Sequence, residues 1–193
     1  MPFFTFAKRG IVFDYYIIIC DNIFIMENKY RHVEHSFKAI INDDSQILIL
    51  GSVPSVMSIQ NNFYYMHHRN RFWPLMEKIF EKELVCCSPE EKTAKLLTRK
   101  IALYDSVFEC DIYLSSDSKI TNVIPSDIPS LIYRTNIKKI LCNGNVSYNV
   151  LIKNYPHLIP MAKKMPSTSP ANAAFSFEKL VVAWGNEIKA NWY

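Results

Sequence analysis

The sequence predicts an α/β fold in which a short parallel sheet is covered by helices on both faces. Its 193 residues, 49% of them hydrophobic, suit one globular domain with a sizeable core. Short apolar runs end at glycine, asparagine or proline, and amphipathic segments separate them along the chain. Strands that alternate with helices in this way are typical of βαβ units, whose strands run parallel.

The strand candidates are four short apolar runs. The first, at residues 45–50, is apolar on both faces and ends at Gly51, as expected of a buried strand. A second apolar stretch covers residues 103–108. Two further candidates, residues 137–142 and 158–165, end at Asn143-Gly144 and at Pro166. The carboxyl ends of such strands are where ligands bind in open α/β sheets, so the loops that follow them are the candidate sites.

The helix candidates lie between and after these runs. Residues 71–83 place apolar side chains at helical spacing. Ser88, Pro89 and Glu91 form a typical helix start, with a cap, an early proline and an acid in the first turn, and this helix should run to residue 100. Three more helices are predicted at residues 126–134, 145–153 and 175–192.

Charge and cysteine content limit the functional classes. The net charge of +4 permits a nucleic-acid partner without requiring one. The five cysteines are odd in number and form no C-x-x-C pair, which argues against a disulfide framework or a zinc site. We therefore expect reduced, mostly buried thiols in a cytoplasmic protein.

Residues 1–25 differ from the rest of the chain in their many aromatic side chains. Charged residues break their apolar run into pieces too short to cross a membrane, and they lack a convincing secretory signal. Two interpretations stay open, namely an added strand or hairpin, or an extension upstream of a start at Met26. The second is favoured, so the predicted domain covers residues 26–193 and residues 1–25 are an extension of doubtful status.

Three candidate loops carry polar or aromatic side chains. Gly51 opens the first loop, and the aromatic segment (residues 63–73) that follows could stack on bases or simply close the sheet edge; the structural role is favoured for Phe72 and Trp73. Asn143 offers an amide that can both donate and accept hydrogen bonds at a base edge, although Asn-Gly is also an ordinary turn. Residues 166–173 hold small hydroxyls that could bind phosphates or form a rigid cap and turn.

Several stretches together resemble the uracil-DNA glycosylase superfamily, and in particular its hypoxanthine-DNA glycosylase branch. The specific ones are FYYMHHRNRFWPLM at residues 63–76 and MPSTSPANAAFSFEKLVVAW at residues 165–184, supported by ILILGSVPSVMS at 47–58, IALYDSVFECDIYLSSDSKITN at 101–122 and KKILCNG at 138–144. The resemblance covers residues 31 to 184 approximately. It implies a three-layer α/β/α domain with a short central parallel sheet. It also implies hydrolysis of the N-glycosidic bond of a deaminated base, hypoxanthine or uracil, flipped out of double-stranded DNA.

The resemblance assigns roles to individual residues. Gly51 and Ser52 occupy the superfamily's first motif, where Val53 replaces the amide or acid that handles water in several relatives. Asn70 matches the catalytic amide, which would hold water at the sugar and stabilise positive charge there. Tyr65 would stack on the flipped base, Asn143 would contact its edge, and His67 would support them. The DNA backbone would be held by the second motif, for which we expect contacts from Ser167, Thr168, Ser169 and Asn172.

The resemblance also implies no metal or cofactor, and we expect a monomer without membrane association. Met66 and His68 depart from the glycine and proline common in the branch, so base preference could differ. Because no lysine stands in the motifs as a nucleophile, a monofunctional enzyme is expected. Two alternatives are a mismatch-specific uracil or thymine glycosylase, disfavoured by Val53, and a lesion-binding relative without activity, disfavoured by Asn70. A third alternative is a nucleotide-binding α/β domain, but the sequence lacks the Gly-rich phosphate loop that such a domain uses.

Overall fold

The centre of the protein is a four-stranded parallel sheet. The computed structural model describes residues 4–8, 11–20, 22–26, 30–113 and 120–190. Its strands are β1 (Phe4–Lys8), β2 (Ile11–Cys20), β3 (Asn22–Met26), β4 (Tyr30–Glu34), β5 (Ile47–Gly51), β6 (Ile101–Asp105), β7 (Val107–Tyr113), β8 (Ile120–Pro125), β9 (Lys139–Asn143) and β10 (Ala162–Met165). The parallel sheet has the order β10-β9-β5-β6.

Helices cover both faces of this sheet. They are α1 (Val56–Gln60), α2 (Phe72–Phe80), α3 (Pro89–Thr98), α4 (Ile128–Tyr133), α5 (Asn145–Asn154) and α6 (Phe177–Lys189). Successive residues of β5 point to opposite faces: Ile49 packs with Phe72 and Trp184 of α2 and α6, whereas Leu50 packs with Leu151 of α5. The predicted three-layer α/β/α architecture is therefore confirmed.

The bounds of two predicted strands were wrong. The stretch at residues 103–108 is divided at Ser106, whose N–H donates to the Gly51 carbonyl at 3.0 Å, so β6 ends at Asp105 and β7 begins after the turn. The candidate at residues 158–165 is a strand only in its second half. Its first half belongs to a 3₁₀ helix, Pro156–Met161, because prolines at 156 and 160 cannot donate to a ladder.

A second, antiparallel sheet escaped prediction. It has the order β1-β2-β4-β7-β8, with β3 paired to β2. Strand β4 joins β7 over five residue pairs, from Tyr30↔Tyr113 to Glu34↔Glu109, and β2 over two. In β7 the buried side chains alternate with more exposed ones, which is the pattern of a strand with one covered face.

The N-terminal residues are strands wherever the structure describes them. The pairing of β1 and β3 with β2 agrees with the added-strand interpretation, while the proposed domain start at Met26 stays a prediction.

The predicted helix at residues 175–192 begins at Phe177 and runs to Lys189, and its expected last residues lie outside the described part. None of the helices described combines the length and apolar composition that a membrane-crossing helix needs.

Candidate active site

Three loops meet at the carboxyl edge of the parallel sheet, as the topology predicts. They follow β5, β9 and β10, and their first residues lie close together. A Cβ at Gly144 would be 3.0 Å from the Ser167 Cβ, and a Cβ at Gly51 would be 2.9 Å from the Tyr65 hydroxyl. The structure thus brings the predicted residues of all three motifs to one place.

Asn143 is at the centre of this place, at the end of β9 and only 8% exposed. Its Nδ2 donates to the Tyr65 hydroxyl at 3.0 Å and to Thr168 Oγ1 at 2.9 Å. Its Oδ1 accepts the Thr168 N–H at 2.9 Å. Both amide protons are therefore used inside the protein, and one lone pair of Oδ1 is left for a ligand.

Asn70 lies within the aromatic segment, two residues before α2 begins, and is half-buried. Its Oδ1 accepts the backbone N–H of Phe72 at 3.0 Å and lies 3.1 Å from Thr168 Oγ1. These contacts hold the Asn70 amide at the start of α2. Thr168 lies between this amide and that of Asn143 and is hydrogen-bonded to both. Among the described residues, Asn70 Nδ2 has no hydrogen-bond partner.

Tyr65 lies between these amides and the core. Its ring stacks on Phe72 with centroids 4.0 Å apart, and its backbone takes the left-handed φ of 56° that non-glycine residues rarely adopt. Burial is the main cause that raises the pKa of the Tyr65 hydroxyl well above its usual range, and the nearby Asp105 carboxylate is the second. The hydroxyl is therefore neutral at any physiological pH and can accept from Asn143.

The hydroxyl loop (residues 166–175) carries the predicted DNA contacts. Ser167 and Ser169 are partly exposed, and their Oγ atoms accept backbone N–H groups, which leaves each hydroxyl proton free to donate. Asn172 donates to the Ser167 carbonyl at 2.9 Å. Thr168 is different, because it has no exposed surface and its hydroxyl lies between the two amides. In this conformation its side chain cannot reach a phosphate.

Arg71 anchors the hydroxyl loop, a role that sequence reasoning missed. Its guanidinium donates to five backbone carbonyls of the loop: those of Phe175 (2.6 Å), Ser169 (2.8 Å), Asn172 (3.0 Å), Ser167 (3.3 Å) and Thr168 (3.4 Å). A cation at the start of a helix is disfavoured by the helix dipole. That unfavourable position just before α2 was the available sign that Arg71 has a specific partner.

A buried acid also lies at this edge. The Asp105 carboxylate, at the end of β6, approaches Gly51 so closely that a Cβ there would overlap its Oδ1. His35, whose side chain is fully buried, donates from Nε2 to Asp105 Oδ2 at 3.1 Å. Sequence reasoning missed this pair because the predicted strand at residues 103–108 continued past the aspartate.

The remaining predicted residues line the rim of the site. His67 Nδ1 accepts the Arg69 N–H at 3.2 Å, and its ring stacks on the exposed His68 at 4.7 Å. Met66 packs against the core, and its N–H donates to Ser58 Oγ at 3.2 Å. Ser52 follows Gly51 and is partly exposed.

Cysteine and metal chemistry gain no support at this edge. Burial raises the pKa of the Cys142 thiol to about 12, so this neighbour of Asn143 stays a neutral thiol. Cys110 and Cys142 are buried, while Cys86 is exposed and Cys87 partly so. No group of three or more potential metal ligands occurs in the described ranges. The expected lack of a metal stays a prediction.

Comparison with known proteins assigns the chain to a family. No family model matches it. It is 31% identical over 147 residues to a hypoxanthine DNA glycosylase of Methanosarcina acetivorans, covering 75% of this chain and 91% of that protein. The chain belongs to the hypoxanthine-DNA glycosylase branch of the uracil-DNA glycosylase superfamily. A second hypoxanthine DNA glycosylase, from Methanosarcina barkeri, is 30% identical over 59% of this chain and 73% of its own length.

The fold of this hypoxanthine-DNA glycosylase family member also matches that of a solved structure. The solution NMR structure of a Methanosarcina acetivorans protein designated a uracil DNA glycosylase superposes with a TM-score of 0.66 at 30% identity. The superposition covers 81% of this chain and 94% of the Methanosarcina chain. The resemblance found in the motifs is confirmed, and the roles of individual residues stay predictions.

Proposed function

We propose that this protein is a monofunctional DNA glycosylase that removes hypoxanthine from double-stranded DNA, with uracil as a second substrate. Two of its relatives are named hypoxanthine DNA glycosylases, and DNA is therefore its expected partner. One observation carries the proposal: Asn70 and Asn143 meet through Thr168 at the sheet edge where α/β proteins bind ligands. Such an enzyme would begin base excision repair of deaminated DNA.

The reaction replaces the C1′–N9 bond of deoxyinosine by a C1′–O bond from water. The bonding electron pair leaves with the base, and the base gains a proton while water loses one. The products are free hypoxanthine and an abasic deoxyribose. Because the Asn70 amide is a weak base, the rate depends on positioning and on stabilising the departing base.

The base pocket lies between Tyr65 and Asn143. The half-buried Tyr65 ring supports a stacked base, and the free lone pair of Asn143 Oδ1 can accept the N1–H of hypoxanthine. Adenine carries an acceptor at N1 instead of a donor, so the same oxygen would repel it. This arrangement favours the deaminated base over its parent.

The rim of the site supports backbone contacts. Free hydroxyl protons on Ser167 and Ser169 can donate to phosphates, and Asn172 lies beside them. Exposed Arg69 adds positive charge near Asn70. No lysine is hydrogen-bonded to Asn70, Tyr65 or Asn143 in the described ranges, which favours an abasic product over strand cleavage. We further propose a monomer that acts in the cytoplasm through residues 26–193.

A base-release assay tests the proposed function. Duplexes that carry hypoxanthine, uracil, xanthine or a G·T mispair are incubated with the protein, and abasic sites are revealed by alkali. Hypoxanthine should be released fastest, with no strand cleavage before alkali. Asn70→Ala should slow release at least about 100-fold, whereas Asn154→Ala, an exposed amide at the end of α5, should not. Release of no base by the native protein, or an unimpaired Asn70→Ala, contradicts the proposal.

A further inference from the structure

We propose that Thr168 is a positioning residue that fixes Asn70 as a hydrogen-bond donor to the departing base. The inference rests on the proposed glycosylase function and goes beyond it, because it assigns a direction to each hydrogen bond that links the two amides through Thr168. It also changes the expected role of Asn70, which the family resemblance gives as holding the attacking water.

Backbone N–H groups determine how both amides are oriented. The N–H of Phe72 points at one end of the Asn70 amide at 3.0 Å, and the N–H of Thr168 points at one end of the Asn143 amide at 2.9 Å. A backbone N–H can only donate, so each of these ends must be the oxygen. The opposite end of each amide is therefore its Nδ2.

The direction of the Thr168 hydroxyl follows from these orientations. Asn143 Nδ2 can only donate, so Thr168 Oγ1 accepts from it at 2.9 Å. The hydroxyl has one proton, and Asn70 Oδ1 lies 3.1 Å away to receive it. The three side chains form one ordered relay that runs from Asn143 through Thr168 to Asn70.

The relay leaves Asn70 with a free donor and no free acceptor. Both lone pairs of its Oδ1 are occupied, by Phe72 N–H and by Thr168 Oγ1. Its Nδ2 has no partner among the described residues, and the side chain is half-buried at the site. An N–H donor stabilises an atom that gains negative charge, which in this reaction is the departing base.

Burial makes this orientation firm. Thr168 has no exposed surface, and Asn143 is 8% exposed, so water does not compete for the bonds between them. Hydrogen bonds in such low-dielectric surroundings are strong and costly to break. Arg71 also holds the Thr168 carbonyl through its backbone N–H at 3.1 Å, which keeps the threonine in place.

The first test removes or retains the Thr168 hydroxyl in the full-length protein. Thr168→Val should slow single-turnover release of hypoxanthine about tenfold, the cost of one buried hydrogen bond, while DNA affinity stays within about twofold. Thr168→Ser keeps the hydroxyl and should restore release to within about threefold. Ser45→Ala, which also loses a buried hydroxyl but lies before β5 at the opposite edge, controls for stability, and thermal melting is recorded for all variants.

The second test is Asn70→Asp, which preserves the acceptor for Phe72 and Thr168 and removes the donor. If Asn70 donates to the departing base, release should fall at least about 100-fold. If it instead accepts a proton from water, the more basic carboxylate should be as fast or faster, and the proposal is overturned. Normal release by Thr168→Val overturns it as well. Both results require an active native protein, so they are distinct from failure of the glycosylase function itself.

Discussion

The α-carbon of Gly51 lies directly against the carboxylate of Asp105, with no room for a side chain between them. Two parallel strands, β5 and β6, end at this contact. The approach lets a buried, histidine-paired acid reach the floor of the site. It also explains why the first motif begins with glycine here, at a position whose backbone does not require one.

Gly51→Ala should therefore destabilise the protein and abolish base release. The added methyl group would displace the buried Asp105 carboxylate, at a cost of about 3 kcal/mol in the free energy of unfolding. Urea unfolding and the base-release assay measure the two effects. Gly185→Ala in α6 is the matched control, because its Cβ would meet only Ile79 Cγ1, at 4.0 Å. That variant should gain up to about 1 kcal/mol and keep its activity.

Arg71→Lys should loosen the hydroxyl loop. A lysine has one compact donor group, whereas the guanidinium of Arg71 spans five carbonyls. We expect faster hydrogen exchange at residues 168–175 and about tenfold slower base release, because the loop also positions Thr168. Arg99→Lys is a suitable control, since Arg99 donates to the carbonyls of Lys95 and Phe80 away from the site. Equal effects of the two substitutions on base release would refute the anchoring role.

Stability should fall steeply in alkaline solution. Burial raises the pKa of Tyr64, which is 2% exposed and donates to the Lys38 carbonyl, far above the value near 10 of an unfolded tyrosine. Above pH 10 the unfolded chain loses a proton that the folded chain keeps. Each such tyrosine therefore removes about 1.4 kcal/mol of stability per pH unit.

The measurement is urea unfolding at pH 8.5, 10.5 and 11.5. Tyr64→Phe should be less stable than the native protein at pH 8.5, because it lacks the bond to Lys38, yet should lose less on going to pH 11.5. Tyr133→Phe is the control, since it removes the same hydroxyl from a side chain that is 86% exposed. A pH profile that is the same for all three proteins would contradict the assignment.

Much of the fold and the location of the site could be predicted from the sequence. The first and third predicted strands are buried on both faces, and apolar runs that end at turn residues report such strands well. Because parallel strands place their carboxyl ends together, the strand ends at Gly51 and Asn143 also predicted the meeting of the loops. Strands β4, β7 and β8 of the antiparallel sheet were missed because they are not continuous apolar runs; in β7, for example, buried Cys110 and Ile112 flank the partly exposed Asp111.

The internal bonding of the site could not be predicted. Thr168 looks like any other hydroxyl of its loop, and only the fold shows that it is buried between two amides. The same holds for Asp105, whose partner His35 lies 70 positions earlier in the chain. Long-range pairs of this kind depend on how the strands are arranged in the fold, and that arrangement leaves no local pattern in the sequence.

Arg71 binds the hydroxyl loop through main-chain oxygens alone. An anchor of this kind tolerates exchange of the side chains that it does not touch, since every amino acid supplies the same carbonyl. The exposed residues Ala171, Ala173 and Phe175 could therefore be replaced without releasing the loop. The exposed surface of the hydroxyl loop, which is the proposed DNA contact, is thus free to evolve, or to be redesigned, independently of the support beneath it.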